Sequence, residues 1–328
     1  MTSPPEDARD FDAFYASRIQ PDLLALEVQR KQIAGKLIAS FLVVVALVAG
    51  CLMAFTFDTI SVTIASFVGI VLFMGQMLFY RWMTSDYVLS FKHQVIAAVA
   101  RYFDEGLRYD PEAGISQSDF LASQLFRHRI DRYSGEDLVR GVVGKTAIEV
   151  SEIHAEYKTT TTDSKGRRRT RWHTIFRGLF FIGDFNKHFQ GTTLVLPDVA
   201  ERLLGRFGKM LQDMNPGRSQ DLVRLEDPEF EKHFVVYGDD QVESRYILSP
   251  ALMQRIVAFK RSTGHQIHLA FRHSNVYVAI SATSDMFEPP VFRTLLNRQL
   301  VETYRSEMAM AVGIVEELNL NTRIWTKT

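Results

Sequence analysis

The stretch LIASFLVVVALVAGCLMAFTF, residues 37–57, is separated by only two residues from ISVTIASFVGIVLFMGQMLFY, residues 60–80. Asp58 is the only charged residue between Leu37 and Tyr80. An α-helix needs about 20 apolar residues to cross a hydrocarbon core about 30 Å thick. Each run has that length, and neither has the polar face that a surface helix of a soluble protein carries. The sequence therefore predicts a transmembrane hairpin over residues 37–80.

A cleaved signal peptide is the competing interpretation of the first run. Its apolar region would be about 7–15 residues long and close to the N-terminus. Here the run begins only at Leu37 and is too long, so this interpretation is rejected.

Basic residues flank the two runs on one side only. They precede the first run and follow the second, at Arg30, Lys31, Lys36, Arg81, Lys92 and Arg101. The turn between the runs holds no lysine or arginine. Because loops rich in lysine and arginine stay in the cytoplasm, both termini are expected there. The expected location is therefore a membrane, with two spans in contact with the lipid bilayer.

Small residues recur at every fourth position in both runs, namely Ala46, Gly50 and Ala54 in the first and Ser61, Ala65 and Gly69 in the second. This spacing places small side chains on one helix face and lets two helix backbones approach closely. The two stripes are expected to pack against each other within the hairpin. The alternative is that they form a face through which the chain forms a homo-oligomer.

Charge and motifs exclude several functional classes. The formal net charge is zero, so total charge gives no attraction to nucleic acid, and no nucleic-acid partner is expected. Cys51 is the only cysteine, which rules out an intramolecular disulfide. Neither run holds an ionisable group that could carry protons or ions. No zinc-protease, dinucleotide or kinase motif is present, and we expect neither a metal nor a cofactor.

The rest of the chain predicts an α+β fold. Residues 1–36 form an amphipathic cytoplasmic segment, and residues 81–135 are expected to be helical, including a helix from Gln117 to Tyr133. Residues 136–290 alternate between strands and short helices, with mostly antiparallel pairing. A helix through Leu203 and Leu211 lies within that domain. A C-terminal helix and tail occupy residues 291–328.

The strongest local charge lies at a predicted hairpin tip. A turn at residues 163–166 separates two strand-like segments, and cations cluster there at Lys165, Arg167, Arg168, Arg169 and Arg171. A basic loop on a membrane-tethered domain is suited to anionic lipid headgroups. A contact with another protein is the alternative. The simplest interpretation is a solvated loop with no partner.

A second polar group follows a strand at Asp184, Asn186 and His188. An aspartate and a histidine could act as an acid–base pair or as metal ligands. Their neighbours Phe185 and Phe189 are typical of a core, so these polar groups could equally cap a turn.

Two longer stretches carry a family resemblance. They are GLFFIGDFNKHF at residues 178–189, continued by GTTLVLP at 191–197, and RLEDPEFEKHFVVYGDDQVESRY at residues 224–246. Together with the apolar hairpin, they resemble a bacterial membrane-protein family known as domain of unknown function 3137. The resemblance extends from about Ile19 to Leu320. It implies a bacterial origin and two spans, and it implies no activity, cofactor or catalytic residue.

These observations favour a non-enzymatic function. The expected protein is a cytoplasmic binding or scaffold module, anchored in the inner membrane, that contacts anionic lipid or a partner protein. The alternative is a membrane-tethered hydrolase or nucleotide-handling enzyme that uses the region of Asp184 and His188.

Overall fold

The structure is a computed structural model that describes residues 11–57, 61–162, 166–185, 187–198, 221–282 and 285–321. The chain divides into two compact units. The first comprises Met1–Tyr102 with Phe287–Tyr304, and the second comprises Phe103–Met286 with Arg305–Thr328. A segment near the C-terminus therefore belongs with the N-terminal helices.

The first unit is built on two long helices. A π-helical turn at Tyr15–Ile19 leads into α1 (Gln20–Thr56), and α2 (Val62–Phe91) continues through a second π-helical turn, Lys92–Ile96, into α3 (Ala97–Phe103). Proline fits the start of α1 because the first helical residues need no backbone donor. The Ser61 side chain caps α2 by accepting from the Ile64 amide. The predicted turn, Asp58-Thr59, lies outside the described residues.

The apolar parts of these helices are exposed. In the most apolar 18-residue window of each helical run, 6% of the residues are buried in the first and none in the second. Phe67 and Phe73 expose about two thirds of their surface. Nearer the other end of the pair, Leu23 and Tyr87 are fully buried. Both helices are thus long and apolar enough to cross a membrane, and their apolar windows lack the burial that a core helix of a soluble domain would have.

The small-residue stripes divide between two environments. Ala54, Ala65 and Gly69 are partly buried, whereas Ala46 and Gly50 are exposed. A methyl group added at Gly50 or Gly69 would meet no other atom within 4 Å. Packing within the hairpin therefore stays a prediction, with the homo-oligomer as its alternative.

The second unit contains a sheet of nine strands in the described residues. The strands are β1 (Arg108–Asp110), β2 (Arg132–Val143), β3 (Thr146–Thr162), β4 (Arg168–Asp184), β5 (Thr192–Pro197), β6 (Asp221–Val223), β7 (Phe234–Gly238), β8 (Ile267–Arg272) and β9 (Asn275–Ser281). Their order is β1-β2-β3-β4-β9-β8-β5-β7-β6, and every pair is antiparallel. The predicted α+β class with antiparallel strands is confirmed.

Helices connect and flank the strands. They are α4 (Gln117–Ala122), α5 (Pro228–Glu231), α6 (Gln241–Ile247), α7 (Pro250–Thr263) and α8 (Arg298–Glu317), whose residues up to Tyr304 belong to the first unit. Serine or aspartate caps open α4 to α7, at Ser116, Asp227, Asp240 and Ser249. A core on one side of the sheet includes Phe120, Phe176 and Phe180.

Two predicted helices are too long. The helix expected from Gln117 to Tyr133 ends at Ala122, because Gln124 adopts a φ of +58° and the next residues lead into β2. The helix expected from residue 291 begins only at Arg298. Residues 287–297, which we call the strap, have no regular structure and bind to α1 and α2. The helix expected through Leu203 and Leu211 lies outside the described residues.

Candidate functional site

The β3–β4 hairpin carries an exposed two-stranded extension, which we call the arm and define as residues 158–162 and 166–172. Pairing continues through Thr159↔Arg171 and Thr161↔Arg169 to Thr162↔Arg168. Every described residue of the arm is exposed. Both strands are long because β-branched threonines favour extended backbone, and Gly166 accepts a φ of +76° beside the turn.

The arm places cations on both of its faces. Since side chains alternate along a strand, Arg169 and Arg171 share one face while Arg168 lies on the other. Threonines stand opposite all three in the pairing register. Within the described residues, Arg168, Arg169 and Arg171 form no ion pair with a carboxylate. Arg167 is also in the arm, and Lys165 lies outside the described residues.

The base of the arm is stiffened by ring stacking that the sequence analysis missed. The Arg132 guanidinium lies 4.1 Å from the centre of the Trp172 ring, and Arg132 also bonds Glu156 at 3.1 Å. Tyr157 stacks on His173, with ring centres 4.8 Å apart. Cation–π contacts stabilise by about 0.5–1 kcal/mol at exposed sites. The alternating aromatic residues were visible in the sequence, but their partners depend on the strand register.

A buried ion pair connects α1 to the strap. Glu27 and Arg30 are 4% and 7% exposed, and two hydrogen bonds of 2.8 Å join their side chains. Arg30 also donates to the Val291 carbonyl oxygen at 2.8 Å. The Glu27 carboxylate accepts from the Leu295 amide at 3.0 Å. Because each charge faces the other and both form a further hydrogen bond to the strap backbone, part of the cost of burying them is compensated.

A second set of contacts connects α2 and its π-helical turn to the strap. The Tyr87 hydroxyl donates to the Pro290 carbonyl oxygen at 2.9 Å. The Lys92 ammonium, whose side chain is 3% exposed, lies 2.7 Å from the Glu288 carboxylate. Arg30 and Lys92, which flank the apolar runs in the sequence, are therefore buried in ion pairs.

Asp184 and His188 lie close in sequence but differ in their surroundings. Asp184 ends β4 and lines an open concavity of about 430 Å³ beside Arg108 and Arg140. His188 is exposed, with its Nδ1 atom 3.4 Å from the Ser274 hydroxyl oxygen. His188 is not among the described residues that line this concavity. Asn186, the third residue of the predicted polar group, lies outside the described residues.

The loop after β4 is fastened to α6. The amides of Gln190 and Gly191 donate to the Glu243 carboxylate at 2.9 and 2.8 Å. The Lys187 ammonium lies 4.5 Å from the centre of the Tyr246 ring, and burial lowers the pKa of Lys187. Phe185 and Phe189 are buried. The two backbone amides and the Lys187 side chain therefore hold the loop against α6.

The fold is thus an α+β domain in a chain that also carries two long apolar helices. Residues 174–320 match the model of a family described as "Protein of unknown function (DUF3137)". Both stretches that carried the resemblance lie in this range, so the resemblance is confirmed over residues 174–320, a smaller part of the chain than the sequence suggested.

Other comparisons add little. No curated protein matches the chain. The chain is similar to the crystal structure of the mycobacterial trehalose monomycolate transport factor A, TtfA, at 12% sequence identity and a TM-score of 0.31. That similarity covers 68% of this chain and 93% of the other. At these values nothing about this chain follows from it.

Proposed function

We propose that this chain is an integral protein of a bacterial inner membrane that anchors a cytoplasmic binding module. The observation that carries the proposal is the exposure of the most apolar 18-residue window in each helical run, in which 6% and 0% of the residues are buried. Apolar surface in water costs roughly 25 cal/mol per Å² relative to an apolar environment. Two neighbouring helices of this kind are compatible with lipid as their solvent.

The orientation rests on the flanking cations. Lys31, Lys36, Arg81 and Arg101 remain exposed in the folded protein, whereas Arg30 and Lys92 are buried in ion pairs. Retention in the cytoplasm depends on lysine and arginine and only weakly on acidic residues, so all six count during insertion. Both termini and the α+β domain are therefore cytoplasmic in this proposal.

The arm is the surface that we assign to binding, and anionic lipid headgroups are its proposed partner. A lysine or arginine near an anionic membrane surface contributes about 1 kcal/mol, and the attraction fades within a Debye length of about 8 Å. Arg168, Arg169 and Arg171 present their charges opposite threonines rather than carboxylates. In this proposal the chain tethers the domain to a membrane, which raises the local concentration of lipid around the domain.

The alternative of a tethered hydrolase or nucleotide-handling enzyme has less support. An enzyme of this kind needs Asp184 and His188 in one pocket. Asp184 lines the concavity of about 430 Å³, whereas His188 does not.

The arm is tested by fluorescence quenching in nanodiscs. A fluorophore is attached at Thr161→Cys in a Cys51→Ser background, and the nanodiscs contain lipids with quencher-labelled headgroups. Quenching is expected with anionic lipid and not with neutral lipid, and added salt should reduce it. Replacing Arg168, Arg169 and Arg171 by serine should abolish it, whereas replacing them by lysine should keep it.

Two results would count against the proposal. Equal quenching in neutral lipid, or quenching that survives the serine variant, would remove lipid binding by the arm. Crosslinking of the arm to a protein in native membranes, without quenching by lipid, would make that protein the partner. Release of the intact chain from membranes by carbonate would remove the anchor itself.

A further inference from the structure

An apolar groove lies in the first unit between α1, α2 and the strap. It has a volume of about 520 Å³ and is lined by Leu37, Ile38, Phe41, Phe73, Gln76, Met77, Tyr80, Arg81 and Phe292. The Gln76 amide is already engaged, since it donates to the Ser40 hydroxyl at 3.1 Å. The remaining wall is aliphatic or aromatic until the groove reaches Tyr80 and Arg81.

Polarity changes along the groove in one direction. From Phe73 to Arg81 the helix advances about 12 Å, at 1.5 Å per residue. The Phe73 end lies within the apolar run, and the Arg81 end lies where that run stops. An apolar groove that ends at a cation is complementary to an amphiphile with an apolar tail and an anionic head.

Arg81 is the only flanking cation among the groove residues. It is exposed, and within the described part of the chain its guanidinium forms no ion pair or side-chain hydrogen bond. Arg30 and Lys92, by contrast, are neutralised by Glu27 and Glu288. The planar guanidinium fork of arginine matches the geometry of a phosphate group.

The strap holds the remaining wall in place. Phe292 is 61% exposed, yet the two preceding residues are fixed, because the carbonyl oxygens of Pro290 and Val291 accept from Tyr87 and Arg30. Phe292 therefore forms one wall of the groove on a backbone that is held in place.

We propose that the groove is a binding site for one phospholipid, with an acyl chain along its apolar wall and the phosphate on Arg81. This proposal rests on the proposed insertion of α1 and α2 in the membrane. A helix of a second copy could fill the apolar part, but it would leave Arg81 without an anion, so lipid is the occupant that satisfies both ends.

The test measures phospholipid retained by the full chain after purification in a mild detergent, by mass spectrometry of the intact complex. Wild type is expected to keep one phospholipid. Arg81→Gln should bind it about tenfold more weakly, which is the loss expected for one charge-assisted hydrogen bond. Phe292→Ala should also lower retention, since it removes an exposed wall residue without disturbing the core.

Lys36→Gln is the matched control. Lys36 is another exposed cation flanking an apolar run, but it does not line the groove, so retention should stay at the wild-type level. Equal retention in wild type and Arg81→Gln, or an equal loss in Lys36→Gln, would overturn the site. A lipid-free dimer crosslinked through Ile38 and Met77 would overturn it in favour of a second copy. Carbonate extraction of each variant reports separately on membrane anchoring.

Discussion

The Arg30 guanidinium donates a hydrogen bond of 2.8 Å to the carbonyl oxygen of Val291, a residue 261 positions away in the sequence. This bond fastens the strap to the buried part of α1, which extends to Leu37. Arg30 is also hydrogen-bonded to Glu27, so one buried ion pair on α1 holds the strap against the helix.

Replacing Glu27 by alanine should destabilise the first unit strongly. The change leaves Arg30 buried without a counter-charge and removes the acceptor of the Leu295 amide. Breaking a buried ion pair from one side costs about 3–5 kcal/mol. Thermal unfolding in detergent should show a lower Tm, and hydrogen exchange should become faster over residues 287–297.

Lys31→Ala is the control for this change. Its ammonium lies 3.8 Å from the same carboxylate, but the side chain is 69% exposed, and exposed pairs contribute about 0–1 kcal/mol. A Tm drop of similar size in both variants would mean that the buried pair has no special role.

The sequence predicted the parts of the fold that depend on local patterns. The apolar run from Leu37 forms a long helix whose most apolar window is mostly exposed, and the alternation through Ile148 and Val150 is strand-like by itself. The strap was missed because its partners Glu27 and Tyr87 are more than 200 residues away, and a helix was predicted there from apolar spacing alone. The base of the arm was missed for a similar reason, since Arg132 and Trp172 meet only through the register of three strands.

Gly178→Ala should be among the most damaging substitutions in the sheet. Gly178 has a φ of +141°, and an added Cβ would lie 2.2 Å from the Ile280 carbonyl oxygen on β9. Backbone strain and overpacking cost about 1–3 kcal/mol each. Chemical denaturation should therefore show a loss of several kcal/mol, or no folded protein.

Gly264→Ala is the control that tests backbone strain without a steric clash. Gly264 also has a positive φ, +66°, but a Cβ added there would meet no other atom within 4 Å. Its cost should be about 1–2 kcal/mol, the penalty of the left-handed conformation alone. If the two variants lose equal stability, the close approach of β9 to Gly178 is not the cause.

Trp172→Ala should loosen the arm without unfolding the protein. The ring lies 4.1 Å from the Arg132 guanidinium at an exposed site, where such a contact contributes about 0.5–1 kcal/mol. Hydrogen exchange over residues 159–171 should become roughly two- to fivefold faster, with an unchanged Tm. Trp172→Phe keeps an aromatic face and should restore much of the protection. Unchanged exchange in the alanine variant would show that the arm is ordered by its backbone pairing alone.

Cysteine labelling tests the proposed orientation. In a Cys51→Ser background, Asp58→Cys should react with a membrane-impermeant maleimide added to intact spheroplasts, because the proposed topology puts Asp58 on the side of the membrane opposite to the cytoplasm. Glu112→Cys, at an exposed position after β1, should react only after lysis. Labelling of Glu112→Cys in intact spheroplasts would reverse the topology.

Glu152 should make the stability of the second unit depend on pH. Its side chain is 5% exposed and accepts from the Met286 amide at 2.8 Å. Burial, with a smaller contribution from the nearby carboxylates of Asp285, Glu136 and Asp137, raises the pKa of Glu152 from 4.5 to about 7, against the lowering effect of the Met286 amide hydrogen bond. The folded chain therefore keeps a proton between pH 4.5 and about 7 that the unfolded chain has released.

The direction in which stability changes with pH follows from that difference in bound protons. The contribution of Glu152 to stability is fully present below about pH 4.5 and is lost as the pH rises through about 7. Glu152→Gln resembles the protonated side chain, so it should stabilise the protein by on the order of 1 kcal/mol at pH 8 and have little effect at pH 5. The measurement is Tm in detergent at both pH values, with Glu149→Gln as an exposed control on the same strand. An equal effect of Glu152→Gln at both pH values would mean that the carboxyl group is already ionised in the folded protein at the lower pH, and that the Met286 amide outweighs its burial.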